Sequence, residues 1–200
     1  MAVAVPIALP SAPQTLSWEE YLNSPLTKTP YEIIEGKWIS MSSPEADHQW
    51  ISRVLLLAVD NYVMVNGLGV ILTAPFDVVI RRTPRLQTRQ PDLLFISAER
   101  RGIRGRRELR GINRLEFAPD IVIEILSPDE VRRELTGKLR DYAEIGVREI
   151  WIVTAQGETV EVLNLQGTDY LRGGLYGVGD AVQSAVLPGF SLAVETIFAE

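Results

Sequence analysis

Pro119-Asp-Ile-Val-Ile-Glu-Ile-Leu-Ser-Pro128 is the stretch that decides the fold of this chain. Residues 121–126 are β-branched or aliphatic apart from one glutamate, and prolines bound the run on both sides. Such a run is typical of a strand that is buried on both faces of a sheet. Glu124 therefore places an ionisable group in apolar surroundings. An unpaired charge is costly there, so this carboxyl group must be neutral, pair with a cation or bind a metal.

The residues that follow this strand predict a parallel crossover. A helix is predicted over residues 131–145, with Pro128 before it and Gly146 at its C-terminal end. A second strand is predicted over residues 149–153. Strand, helix and strand of these lengths are typical of a parallel β-α-β unit.

The other segments predict the rest of an α/β fold. A capping box at Ser17 predicts a short helix ending near Pro25, and apolar spacings of three and four predict a helix over residues 48–65. A hairpin is predicted around Glu35-Gly36, and further strands over residues 70–72, 76–80, 93–96 and 159–163. Residues 100–114 are predicted to form a loop, and a last helical turn is expected near Thr196. The resulting fold class is a mixed β-sheet flanked by helices, with an N-terminal helix and hairpin.

Length and composition are typical of one globular domain. The chain has 200 residues, of which 46% are hydrophobic and 23% charged. We predict a flexible N-terminal tail over residues 1–16 and a single domain over residues 17–200. No apolar stretch is long enough to span a bilayer, and the chain has no cysteine, so we expect a cytoplasmic protein without a membrane partner. His48 is the only histidine, which excludes zinc sites built from His and Cys.

The positive charge of the chain is concentrated in one block. Its net charge is −6, which by itself argues against nonspecific affinity for nucleic acid, yet residues 81–114 hold eleven arginines and three carboxylates. Two interpretations stay open: a face that binds polyanions, or a solvated arginine-rich loop. On the first interpretation the arginines that bind nucleic acid are Arg81, Arg82, Arg85, Arg89, Arg104, Arg106 and Arg107.

Three aspartates, each preceded by proline, are candidate partners for Glu124. Asp120 lies four residues earlier on the same strand, roughly 13 Å away, which is too far to share a cation. Asp129 follows the strand and is more typical of a helix N-cap. Asp92 opens another strand, and if the two strands are neighbours the carboxylates meet. Such a pair suits Mg²⁺ or Mn²⁺, with waters and a main-chain carbonyl completing the octahedron.

Lys138 is a candidate third member of the site. It lies close to the apolar stripe of the predicted helix, which would direct it toward the sheet. The alternative is a surface ion pair with Glu134, four residues earlier, of little energetic value.

Taken in order, several segments resemble the blocks of the putative restriction endonuclease family within the PD-(D/E)XK nuclease superfamily. The resemblance covers roughly residues 17–165, and the ordered series is more specific than any single block. The blocks are Tyr31-Glu-Ile-Ile-Glu-Gly36, Met41-Ser-Ser-Pro44 to His48, Gln90-Pro-Asp-Leu93, Val122-Ile-Glu-Ile-Leu-Ser-Pro128, Lys138 with Tyr142, and Gly146-Val147 to Trp151-Ile-Val153.

The resemblance implies a restriction-endonuclease-like core in which Asp92 and Glu124 bind Mg²⁺ and Lys138 activates the attacking water. The superfamily pattern has a lysine two residues after the glutamate, where this chain has Leu126. In this family the lysine comes similarly from the next helix, where Lys138 stands. The resemblance also suggests catalytic roles for Glu35, as a further carboxylate of the metal shell, and for His48, near the scissile phosphate. Their alternatives are a solvent-exposed turn residue and an ordinary helix-start residue.

We therefore expect a Mg²⁺-dependent endonuclease that hydrolyses DNA phosphodiester bonds, with Mn²⁺ as a possible substitute. Cleavage of both strands favours a homodimer, with the tail or a sheet edge as the contact. The alternative is a catalytically silent nucleic-acid-binding module on the same scaffold. Hydrolases on other substrates are disfavoured, because the chain lacks the Gly-x-Ser-x-Gly elbow and the glycine-rich phosphate-binding loops.

Overall fold

The computed structural model of the chain describes residues 15–24, 30–127 and 132–199. Within them the helices are α1 Trp18–Asn23, α2 Ala46–Val65, α3 Ala98–Arg101, α4 Arg132–Ile145 and α5 Val194–Phe198. The strands are β1 Tyr31–Ile34, β2 Lys37–Ser40, β3 Gly69–Thr73, β4 Val78–Arg81, β5 Gln87–Arg89, β6 Leu93–Ser97, β7 Ile121–Leu126, β8 Glu149–Thr154, β9 Thr159–Gln166, β10 Asp169–Tyr176, β11 Ala181–Gln183 and β12 Ser191–Ala193. The expected helix cap at Asp129 lies outside the described residues.

A six-stranded mixed sheet forms the centre of the molecule, in the order β10-β9-β8-β7-β6-β3. β7 and β8 are parallel and are connected through α4, whereas the other pairs in this sheet are antiparallel. The predicted parallel crossover is therefore confirmed. β7 lies between β6 and β8, and five of its six residues are buried.

Alternation along β7 sends its side chains into two different cores. Ile121, Ile123 and Ile125 belong to the core that α2 and α5 cover. Val122 belongs to the core on the opposite face, which contains Tyr142 of α4. Since successive side chains of a strand point to opposite faces, Glu124 faces α4.

A four-stranded sheet in the order β2-β1-β5-β4 packs beside the central one. The hairpin β1–β2 is in the predicted position, but β5 is not among the predicted strands. β5 consists of Gln87, Thr88 and Arg89, all polar and all buried, so it lacks the apolar alternation by which a strand is recognised. Its polar groups have buried partners instead: Thr88 Oγ1, for example, accepts a hydrogen bond from the amide of Ile33.

The N-terminal helix begins with the predicted capping box. Ser17 Oγ accepts a hydrogen bond from the amide of Glu20, and Glu20 Oε2 accepts one from the amide of Ser17. The predicted tail falls largely on residues 1–14, outside the described residues. Leu16 already donates its amide to the Gly36 carbonyl at 2.7 Å, so the folded part begins before Ser17. In the described part of the chain, no helix combines the length and apolar character needed to cross a membrane.

A candidate active site where β6 meets β7

Asp92 and Glu124 lie opposite each other at the junction of two neighbouring strands. Leu93 pairs with Ile123 in the antiparallel register of β6 and β7, so the preceding Asp92 comes level with Glu124. Asp92 Oδ2 accepts a hydrogen bond of 2.7 Å from the amide of Ile125, which fixes the Asp92 side chain against the end of β7. Both carboxylates line one open cavity of about 540 Å³. The two strands are therefore neighbours, which is the condition that the sequence left open.

The Glu124 carboxylate is buried and is held from α4 on both of its oxygens. Lys138 Nζ lies 2.9 Å from Oε2, and the Tyr142 hydroxyl donates to Oε1 at 2.6 Å. Burial raises the pKa of Glu124, the Lys138 ammonium opposes that shift, and the charge of Asp92 adds to it, so the pKa lies above its ordinary value. Burial and the nearby Glu124 raise the pKa of Tyr142, which keeps the hydroxyl protonated as a donor.

Lys138 occupies a buried position rather than a surface one. Its residue exposure is 4%, and its ammonium points to Glu124 across the gap between α4 and β7. Glu134 is exposed. This arrangement supports the interpretation of Lys138 as part of the site over that of a surface pair with Glu134.

His48 enters the same cavity from the first turn of α2. Its Nε2 lies 3.3 Å from Asp92 Oδ1. The hydrogen bond with Asp92 raises the pKa of His48 above its ordinary value, while partial burial opposes the shift. The imidazole thus contacts the oxygen of Asp92 that the Ile125 amide does not use.

The donor set of the cavity fits a hard divalent cation. Asp92 and Glu124 offer carboxylate oxygens, which are the ligands that Mg²⁺ and Mn²⁺ prefer. In the ranges 15–24, 30–127 and 132–199, no group of three or more His, Cys, Asp or Glu side chains is arranged to hold an ion. Because Mg²⁺ commonly uses one or two carboxylates and completes its shell with waters and substrate oxygens, two carboxylates on an open cavity suffice.

The structure does not bring Glu35 to this cavity. Glu35 sits in the β1–β2 turn with φ 52°, its side chain is exposed, and it bonds to Arg81 at 2.9 Å and to Arg85 at 3.4 Å. The carboxylate of this hairpin that is buried is Glu32, which pairs with Arg89. A sequence signal for Glu32 exists, because it is an acid within the apolar run of β1, as Glu124 is within β7.

Arg89 corrects the expectation that it binds nucleic acid. Its side chain is 4% exposed, and its guanidinium joins Glu32 at 2.6 Å to Asp141 at 2.7 Å. A guanidinium enclosed between two buried carboxylates cannot reach a phosphate at the surface. Arg89 instead ties β5 to β1 and to α4, the helix that carries Lys138.

Ion pairs in the folded chain also neutralise part of the positive charge of residues 81–114. Arg81 pairs with Glu144 as well as Glu35, and Arg82 pairs with Glu116. Arg104, Arg106 and Arg107 are exposed and form no ion pair with any residue in the described ranges. None of the seven arginines proposed from the sequence lines the cavity.

Several polar residues of the cavity were not identified from the sequence. They are Gln49, Ser52 and Arg53 of α2, Gln90 before β6, and Ser127 after β7. Helical spacing from His48 would have found Ser52 and Arg53, because residues four and five positions away on a helix share a face with it or border it.

Comparison with known proteins shows the family of the chain and a similar fold. A family model described as Uma2, putative restriction endonuclease, matches residues 18–195. The fold is similar to a crystal structure described as a putative nuclease belonging to DUF820 from Anabaena variabilis, at 20% sequence identity and a TM-score of 0.74. That match covers 92% of this chain and 98% of the other. A search among curated proteins found no match.

Proposed function

This chain belongs to the Uma2 family of putative restriction endonucleases, and from that premise we propose that it is a divalent-metal-dependent endonuclease that hydrolyses phosphodiester bonds in DNA. The observation that supports this proposal best is the convergence of Asp92, Glu124 and Lys138 on one open cavity. Two carboxylates can hold a divalent cation, and an ammonium group beside them can stabilise the nucleophile.

Each residue has a role that follows from its contacts. Asp92 and Glu124 would hold Mg²⁺ or Mn²⁺, which when bound neutralises charge on the phosphate and acidifies a water. Lys138, 2.9 Å from Glu124, stabilises the negative charge of the attacking oxygen. Tyr142 fixes the plane of the Glu124 carboxylate through its hydrogen bond to Oε1. His48 contacts Asp92 Oδ1 and orients that carboxylate from the opposite wall.

The exposed arginines provide a nonspecific contribution to DNA binding. Arg104, Arg106 and Arg107 carry charges that no described carboxylate neutralises. Arginines of this kind bind backbone phosphates, and the affinity that they supply falls as salt rises.

Plasmid nicking tests the proposal. Wild-type protein should nick DNA in Mg²⁺ or Mn²⁺ and not in EDTA. Asp92→Asn, Glu124→Gln and Lys138→Met should each lower the rate by roughly a hundredfold or more, because each removes an electrostatic element of the transition state. Glu99→Gln, at an exposed site on α3, is the matched control and should leave the rate as it is. Full activity in any of the three site variants would overturn the assignment.

The alternative function is a nucleic-acid-binding module without catalysis. The exposed, uncompensated arginines favour binding but do not require cleavage. DNA affinity measured in the nicking samples separates the two: binding without metal-dependent nicking supports the module. A homodimer that cuts both strands stays a prediction, which sedimentation equilibrium with and without DNA tests.

A further inference from the structure

One wall of the cavity takes part in the mechanism described so far only through His48. α2, which packs on the face of β7 away from α4, contributes His48, Gln49, Ser52, Arg53 and Leu56 to the lining. Among the lining residues that the structure describes, Arg53 is the one arginine. Apart from the contact of His48 with Asp92, the polar groups of this wall have no assigned role.

Arg53 is held in place without being neutralised. Its guanidinium carbon lies 5.4 Å from the centre of the Trp50 ring, within the range of a cation–π contact. No carboxylate in the described part of the chain forms an ion pair with it. Arg81, Arg82 and Arg89, by contrast, all have carboxylate partners. The positive charge of Arg53 is therefore available to an anion at the cavity rim.

We propose that Arg53 binds a phosphate of the nucleic-acid backbone next to the scissile one, an inference that rests on the proposed function. Lys138 is buried beside Glu124, at the end of the cavity where the bond is cut. Arg53 is exposed and lies on α2, on the face of β7 away from α4, so its partner is a phosphate other than the scissile one. The planar guanidinium fork suits the bidentate recognition of phosphate. The substrate is then a chain with at least two phosphates, rather than any phosphodiester.

Two substrates with different numbers of phosphates test this inference. An oligonucleotide duplex has neighbouring phosphates, whereas bis(4-nitrophenyl) phosphate has only the scissile one. Arg53→Ala should raise the KM for the duplex about tenfold or more, with little effect on kcat. The loss of a hydrogen bond to a charged group weakens binding by about that factor. The loss in kcat/KM should be at least tenfold larger for the duplex than for the small diester. Lys138→Ala should lower the turnover of both substrates.

Salt dependence and control variants provide the second readout. Arg53→Ala should reduce the slope of log affinity against log salt by about 0.9, the value of one lost phosphate contact. Arg53→Lys keeps the charge and should recover part of the affinity. Arg110→Ala removes an exposed arginine outside the cavity and controls for net charge. Thermal melts confirm that the variants fold.

The outcomes separate this inference from the proposed function. Wild-type KM and salt slope in Arg53→Ala would overturn the inference and leave the nuclease intact. An equal loss on both substrates would overturn it too, because Arg53 would then act on the scissile phosphate. If the wild type binds DNA but cleaves neither substrate, the proposed function fails, and the salt slope of Arg53→Ala still decides the role of Arg53.

Discussion

Lys138 and Tyr142 stand one turn apart on α4 and contact opposite oxygens of a single carboxylate, that of Glu124. The two contacts fix the carboxylate in rotation as well as in position. They also explain how a charged group is tolerated inside the strand. Positive charge compensates one oxygen, and a neutral hydroxyl donor satisfies the other.

Removing the Tyr142 hydroxyl should lower both the thermal stability of the protein and its rate of DNA cleavage. We predict that Tyr142→Phe loses a buried hydrogen bond of about 1 kcal/mol, which lowers Tm by roughly 2–4 °C. Nicking should slow by about tenfold, because Glu124 is then less firmly oriented. Tyr170→Phe is a matched control. The Tyr170 hydroxyl donates a hydrogen bond of 2.7 Å to the Val147 carbonyl, and neither residue lines the cavity. It should lose similar stability and keep its nicking rate. Equal nicking in both variants would remove Tyr142 from the site.

Divalent cations should stabilise the fold through the same carboxylates. At a Mn²⁺ concentration a hundred times its Kd, ligand linkage gives about 2.7 kcal/mol. At roughly 2–4 °C per kcal/mol, Tm should rise by about 5–10 °C. Asp92→Asn and Glu124→Gln should each abolish most of this rise, whereas Glu99→Gln should keep it. Differential scanning calorimetry in Mn²⁺ and in EDTA measures it, and an equal rise in all four proteins would place the ion elsewhere.

Arg89 should be a stability residue rather than a binding residue. It joins Glu32 and Asp141 in the interior, so Arg89→Met leaves two buried carboxylates without their cation. We predict a loss of about 3–5 kcal/mol in the free energy of unfolding. Arg107→Met, at an exposed position, should change it by no more than about 0.5 kcal/mol. Urea unfolding compares the two, and similar stabilities would contradict the assigned role of Arg89.

The backbone plan could be predicted from the sequence because it depends on local patterns. Apolar periodicity locates α2, and the bounded apolar run locates β7. The sequence left the pairing of β6 with β7 open, and in the structure that pairing brings Asp92 level with Glu124. Lys138 follows from the register of α4, which turns its apolar stripe toward the sheet.

Burial of polar groups could not be predicted, because it depends on contacts between distant segments. Arg89 belongs to the arginine block in the sequence, yet Glu32 and Asp141 enclose it from 57 and 52 residues away. β5 is polar throughout and becomes a strand only through these buried partners. In the β1–β2 hairpin, Glu32 is buried in its pair with the distant Arg89, whereas Glu35 in the turn stays exposed.

Truncating His48 and truncating Glu35 should have different effects on the nicking rate, since of the two only His48 contacts a carboxylate of the site. We predict that His48→Ala lowers the nicking rate by about tenfold through misorientation of Asp92. Glu35→Ala should retain the wild-type rate, because it removes only exposed ion pairs with Arg81 and Arg85. A large loss of nicking in folded Glu35→Ala would restore Glu35 to the metal shell.

Two sets of three arginines should contribute unequally to DNA affinity. Arg104, Arg106 and Arg107 have no acidic partner in the described ranges, whereas Arg81, Arg82 and Arg85 each contact a glutamate. A phosphate must displace that glutamate before it gains the arginine, which reduces the net attraction. We therefore predict that changing the unpaired set to glutamine lowers the slope of log affinity against log salt by up to roughly 0.9 per residue, and that changing the paired set lowers it by less. Fluorescence anisotropy with one duplex across a salt series measures both slopes. If the paired set has the larger effect, DNA lies along the hairpin side of the molecule, and the glutamates there are displaced on binding.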